Sequence, residues 1–193
     1  RFRRTTGGQR SAPTLEQRRA EYENLFDTCR IRPERADTVA WYVKRIEKGK
    51  TRYEALGHEM GIPWKFIAIT HALEASCDFT RHLHNGDPLS ARTSNVPSGR
   101  PPGGSPPFSF EDSARDAMTM KNFHIQTDWS VAAMVCRCEQ YNGWGYYNRG
   151  KANPYLWSFS QHYEKGKFTA DHVVDENAVS KQAGAAVLLK AIS

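Results

Sequence analysis

The segment PWKFIAITHALEAS, residues 63–76, constrains this chain more than any other stretch. Pro63 suits a helix opening, Gly61 breaks what precedes it, and the apolar run Phe66–Ile69 asks for burial. At its far end polar groups crowd together: HALEASCDFTRHLHNGDPLSART carries three His, one Glu, two Asp and two Thr across a helix-to-loop transition. So dense a polar cluster beside an apolar helix is a metal site, a pair of catalytic carboxylates or a polar helix end.

The remaining pattern is helical. Thr14 can cap a helix reaching about Cys29, with Leu15, Tyr22, Leu25, Phe26 and Cys29 on one face. Pro33 suits the first turn of a second, striped by Ala36, Val39, Ala40, Val43 and Ile46 and ended by Gly49. A short helix over Tyr53–Met60 stops at Gly61. Residues 85–107 are rich in proline, glycine and polar turn formers, a long loop of the kind that serves function or stays mobile. Ser109 caps a helix to about Lys121, and Asp128 begins another that reaches Tyr141, stopped by Asn142 and Gly143. Residues 153–174 read as irregular or as a small hairpin turning at Gly166, and a last helix runs from about Glu176 to Ala191. The fold class is therefore mainly α with a small irregular or β-hairpin region. A flexible basic segment, 1–13, precedes one domain over 14–193, a length that can bury one substantial core.

Charge and cysteines narrow the function classes. The net charge of +6 suits an anionic partner, but much of the excess lies in Arg1, Arg3, Arg4, Arg10, Arg18 and Arg19, which read as a basic tail. The body is then nearly neutral, and it carries no zinc-finger spacing, RNP-like aromatic motif or basic heptad, so a nucleic-acid partner is not expected. No apolar run approaches the roughly 20 residues that span a bilayer, so no stable membrane insertion is expected either. No signal-peptide pattern is visible. Cys136 and Cys138 lie two apart in a helix and cannot pair with each other; all four cysteines read as reduced thiols, in line with intracellular synthesis.

Glu74 falls in the last turn of its helix, where the negative end of the helix dipole disfavours ionisation. Apolar shielding would raise its pKa further and suit it to act as a general acid. Asp87, in the turn HNGDP, can fold back across the helix end, and Thr93 follows six residues later. A raised-pKa Glu opposite an ionised Asp is the arrangement for glycoside hydrolysis, with Thr93 placing the water. The competing role for Asp87 is structural, since Asp before Pro commonly stabilises a turn. Downstream, Tyr141, Trp144, Tyr146, Tyr147, Tyr155 and Trp157 alternate with Asn142, Asn148 and Asn153. Aromatic faces stack on sugar rings, and Asn both donates to and accepts from hydroxyls.

The order Glu74, Asp87, Thr93 resembles the triad of phage-type lysozymes. ALEAS is similar to the Glu-Ser motif of lytic transglycosylases, and EQYNGWGY to their Tyr-Asn-x-Gly motif; their Gly-Leu-Met-Gln motif is absent. Residues 62–189, with HLHNGDPL, YNGWGY, PYLWSFS and VSKQAGAAVLL, resemble lysozyme-like proteins of bacteria and phages. The resemblance implies a lysozyme-like helical domain that cleaves peptidoglycan between N-acetylmuramic acid and N-acetylglucosamine. Glu74 would be the acid, Asp87 the second carboxylate and Thr93 the water-positioning residue. His84, Asn85, Tyr141, Asn142, Trp144, Tyr146, Trp157 and His162 would contact substrate. It implies no cofactor or metal, a monomer, and action on the cell wall from the periplasm or outside, with cytoplasmic synthesis if the chain is a phage-type endolysin.

Three other readings compete. His82, His84 and Asp87, with His71, offer nitrogen and oxygen ligands to zinc for a metal-dependent peptidase or amidase of peptidoglycan. The spacing is poor for it, since His82 and His84 share a face only on a strand. Cys77 lies close in sequence to His71, His82 and His84, as a thiol hydrolase would require, without a cysteine-protease signature around it. The last reading is a non-catalytic wall-binding module.

Overall fold

The computed structural model describes residues 12–170 and 173–193. Eight helices, α1 (Leu15–Thr28), α2 (Ala36–Met60), α3 (Trp64–Ala75), α4 (Phe110–Met120), α5 (Val131–Asn142), α6 (Gly145–Asn148), α7 (Pro154–Trp157) and α8 (Ala185–Ala191), surround one core among the described residues. The strands β1 (Lys167–Ala170) and β2 (Val173–Asp175) form a small antiparallel hairpin, so the fold is mainly helical with a minor sheet. Among the described residues no helix is long and apolar enough to cross a membrane.

Helix α3 is the centre. Its residues Phe66–Leu73 and Ala75 are all buried, so the helix is covered on every face, by α2, α5 and α8 among others. A helix apolar all round has no solvent face to present and must be enclosed. Helices α1 and α4 start with capping boxes: Thr14 with Gln17 on α1, and Ser109 with Asp112 on α4. In each, side chains satisfy backbone donors that the first turn leaves open.

Several boundaries differ from expectation. Gly49 does not end a helix, and the two segments expected around it are one 25-residue helix, α2. A Cβ at Gly49 would sit 2.7 Å from Phe79 Cζ and from Tyr53 Cε2, so glycine is there for close ring packing rather than as a stop. The buried stripe of α2 is accordingly Val39, Tyr42, Ile46, Gly49, Tyr53 and Leu56, while Ala36 and Ala40 stay exposed. Asp128 lies before α5 instead of inside it; it accepts the Ser130 backbone N–H, and Ser130 caps the helix. Gly166 precedes β1, which pairs antiparallel with β2, so Gly166 is not the turn between the two strands. The last helix begins only at Ala185, because the preceding segment is held in other ways: Gly166 N–H donates to Ala178 O, and Gly184 N–H to Ser158 O.

The segment 1–13 falls largely outside the described residues, and of the arginines read as a basic tail, Arg18 and Arg19 lie in α1 instead. Arg18 is buried on α1 between the rings of Tyr22 and Tyr147, and pairs with Glu21 and Glu139. Arg19 pairs with Glu16 and with Asp128, tying α1 to the start of α5. Pro13 is already buried. The four cysteines are free and buried.

Replacing Gly49 by Ala sets two effects against each other. Helix propensity favours Ala by about 1 kcal/mol, whereas forcing a methyl into a packed ring cluster costs about 1–3 kcal/mol. With Tyr53 Cε2 and two carbons of Phe79 inside 3 Å, overpacking prevails. Gly49→Ala is expected to lower stability by up to about 2 kcal/mol in urea denaturation; a gain would show that the cluster relaxes freely.

Candidate active site

Helix α3 ends at Ala75, with Ser76 in the left-handed conformation (φ 51°) and its N–H donating to the carbonyls of Ala72 and His71. Glu74 is therefore in the last turn, its side chain half-buried. The Tyr155 hydroxyl, carried by α7, donates to Glu74 Oε1 at 2.8 Å. Burial pushes the Glu74 carboxyl up to about 7; the Tyr155 hydrogen bond and the Lys121 charge pull the other way without cancelling it. The same proximity acts in return: burial lifts the Tyr155 and Tyr141 phenols well above their usual value, and Glu74 adds to both. Burial also lowers the Lys121 ammonium, which Glu74 partly restores. The result is a carboxyl that can hold or release a proton near neutrality, beside one cation and two phenols.

The backbone around Glu74 is fixed from two directions. Gln182 Nε2 donates to Leu73 O. On the other side Gly86 passes so close that a Cβ there would lie 2.4 Å from Glu74 O, and its φ of 77° is one that glycine adopts without strain. The turn HNGDP thus does fold back over the end of α3, as expected. What it delivers there is different.

Asp87 is buried and its oxygens are occupied. Oδ2 accepts from the N–H groups of Ser94 (2.8 Å) and Asn95 (2.9 Å) and from Asn85 Nδ2 (3.2 Å), while Oδ1 accepts from Asn95 Nδ2 at 2.7 Å. Burial alone would raise its pKa, but the bonds from Asn95 and Ser94 outweigh it and hold Asp87 at about 2. This is the geometry of a loop organiser, the turn-stabilising alternative weighed for Asp-Pro. Thr93 is buried and committed as well: its hydroxyl donates to Pro97 O at 2.5 Å and accepts from Arg100 N–H at 2.9 Å. Asn85 is spent on Asp87 and on the carbonyls of Asn95 and Val96. Of the two carboxylates read as catalytic, Glu74 alone has an oxygen that accepts no hydrogen bond among the described residues.

His84 is buried and serves α4: its Nε2 donates to Asp116 at 2.8 Å, and Ser113 Oγ stands 3.2 Å from its Nδ1. His82 uses Nδ1 on the same Ser113 hydroxyl (2.9 Å) and donates from Nε2 to Ala91 O (2.8 Å). His71 is enclosed by Tyr53, Phe79 and Phe110; it donates to Asp78 O and accepts from the Tyr53 hydroxyl, and burial lowers its pKa to about 4. The residues offered for zinc therefore all have structural partners, and among the described residues no group of three metal-ligating side chains converges. Cys77 is a poor nucleophile, since burial raises its thiol to about 11.

The aromatic residues expected on one wall separate. Tyr141 is buried beside Glu74, with its hydroxyl donating to Leu83 O at 2.6 Å. Asn142 and Tyr146 line a shallow depression of about 460 Å³ with Phe168, and Trp144 is half-buried against Tyr147. Trp157 and His162 instead border another cavity, of about 420 Å³, with Arg18, Glu139 and Asn153. Sequence reasoning counted Tyr155 only among the aromatics and missed Lys121 and Gln182 altogether. Asn153-Pro154 is a helix-start sequence that the reading of 153–174 as irregular or a small hairpin passed over, and no local pattern could show that Tyr155 reaches Glu74 from 81 residues away. Comparison with family models, with curated proteins and with solved structures gave no match.

Two stability measurements separate the carboxylates. For Glu74 the folded state raises the pKa, so wild-type stability falls as pH rises from about 4.5 to about 7 and then levels off. Glu74→Gln is expected to match wild type at pH 4 and to exceed it by about 1–3 kcal/mol at pH 8. For Asp87 the pKa is depressed, so its contribution is present above about pH 4 and fades as pH falls towards 2. Asp87→Ala strands the Ser94 and Asn95 donors and should cost about 1–3 kcal/mol at pH 7, with faster amide exchange across residues 93–100. Equal stability of Asp87→Ala and wild type at pH 7 would refute its role as loop organiser.

Proposed function

We propose that this chain is a lysozyme-like muramidase: it cleaves the peptidoglycan glycan strand between N-acetylmuramic acid and N-acetylglucosamine, with Glu74 as general acid. The observation that carries the reading is the Glu74 carboxyl itself, raised to about 7 by burial and held by Tyr155 at the end of the central helix. A general acid works best when its pKa lies near the working pH.

Protonated Glu74 gives its proton to the glycosidic oxygen as the bond from that oxygen to the anomeric carbon breaks. The sugar carries the positive charge and the departing sugar leaves as an alcohol. The carboxylate so formed takes a proton from the incoming hydroxyl, that of water or the C6 hydroxyl of the same muramic residue, whose oxygen bonds to the anomeric carbon. Glu74 ends protonated, as it began. Asp87, bound by five donors, takes no part, so this scheme runs on one carboxyl rather than the pair expected from the sequence. Lys121 favours the anionic stage of Glu74, and Tyr155 supports it by hydrogen bond. The depression lined by Asn142, Tyr146 and Phe168 supports a sugar contact, offering an amide and ring edges. Peptidoglycan is the proposed partner, the cell wall the proposed place of action, and the step needs no cofactor.

Purified peptidoglycan digested by wild type and by Glu74→Gln, read by mass spectrometry, tests this. Wild type should release muropeptides with new reducing or 1,6-anhydro ends, and Glu74→Gln should lose about 10²-fold or more. Cleavage by wild type should decline as pH rises through about 7 and Glu74 loses its proton. Cleaved stem peptides with intact glycan, or no products at all, would overturn the muramidase.

A further inference from the structure

Tyr155 reaches Glu74 from a helix of a single turn, and so short an element cannot hold itself in place. Its support is side-chain chemistry. Asn153, 3% exposed, caps α7: its Oδ1 accepts the Tyr155 N–H at 3.0 Å, and its backbone carbonyl takes the N–H groups of Leu156 and Trp157. The amide of Asn153 is held in turn, for Nδ2 donates to Glu139 Oε1 at 3.2 Å.

Glu139 is 2% exposed and belongs to α5. Its other oxygen accepts from the Tyr22 hydroxyl at 2.5 Å and lies 3.5 Å from Arg18, both on α1. An unbroken series of contacts therefore leads from α1 through Glu139 and Asn153 to the Tyr155 backbone, and from the Tyr155 ring to the carboxyl of Glu74. A buried ion pair such as Arg18–Glu139 is a poor way to add stability. What it does supply is a fixed direction for the Asn153 amide, hence a fixed start for α7.

We infer that Glu139 and Asn153 are positioning residues for Glu74: by fixing the start of α7 they hold the Tyr155 hydroxyl on the carboxyl and so set its proton affinity. This deepens the muramidase reading but can be tested without it. A hydrogen bond to the ionised form lowers a carboxyl pKa, so slackening the support must raise it.

The measurement is the carbon-13 NMR titration of the Glu74 carboxyl in the full chain. Tyr155→Phe removes the bond outright and should move the midpoint up by roughly one unit. Asn153→Ser keeps a capping hydroxyl but cannot span to Glu139, and Glu139→Gln keeps the shape without the charge. Each is expected to move the midpoint in the same direction. Combining Asn153→Ser with Tyr155→Phe should move it no further than Tyr155→Phe alone, because both act through one hydroxyl. An unmoved midpoint in both single variants, or additive shifts in the double variant, would overturn the inference. Should Asn153→Ser fail to fold, Glu139→Gln combined with Tyr155→Phe gives the same comparison. Absence of glycan cleavage by the wild type would sink the muramidase and leave the titration to decide this inference by itself.

Discussion

The enclosure of α3 on all sides governs both the core and the chemistry at its end. Because Phe66–Leu73 are covered by neighbouring helices, the last turn emerges among apolar and aromatic groups rather than into water. Glu74 stands where the apolar helix meets a polar loop, and desolvation is the largest influence on its pKa. The same packing that stabilises the core makes ionised Glu74 costly. Stability is thus given up at the one position where the proposed reaction needs a proton near neutrality.

The loop after α3 shows a different use of polar residues. His82, His84, Asn85, Asp87, Thr93 and Arg100 bond mainly to one another, to Ser113 and Asp116 of α4, and to loop backbone. Few apolar side chains are available there, so buried hydrogen bonds specify the loop's path. Gly86 makes the crossing over Glu74 O possible, and Asp87 then gathers the returning strand of loop by its backbone N–H groups. Polar density in this sequence marks a built loop beside the candidate acid, with the acid itself outside that network.

Distant parts of the chain converge on Glu74 in layers. Tyr155 touches it, Asn153 and Glu139 hold Tyr155 in place, and Arg18 and Tyr22 bring the first helix into the same network. Lys121 and Gln182 arrive from two further segments. A carboxyl with so many indirect supports responds to changes far from it in sequence.

Much of this was legible in the sequence where the cause is local. Caps at Thr14 and Ser109, the proline before α3, Gly61 after α2 and the position of Glu74 in a last turn follow from backbone propensities and hydrogen-bond donors within a few residues. Local pattern misjudged Gly49, whose reason is the approach of the Phe79 ring, and Arg18, which is buried and pairs with a glutamate on another helix as well as one on its own. It also assigned Asp87 and Thr93 by spacing, while their roles depend on which donors the loop brings to them. The sequence by itself determined a helical chain with an acid at the end of its most apolar helix. That Tyr155 and Lys121 act on that acid, while the oxygens of Asp87 are taken up by its own loop, follows from the tertiary structure alone, because desolvation and hydrogen bonding depend on neighbours that chain order does not reveal.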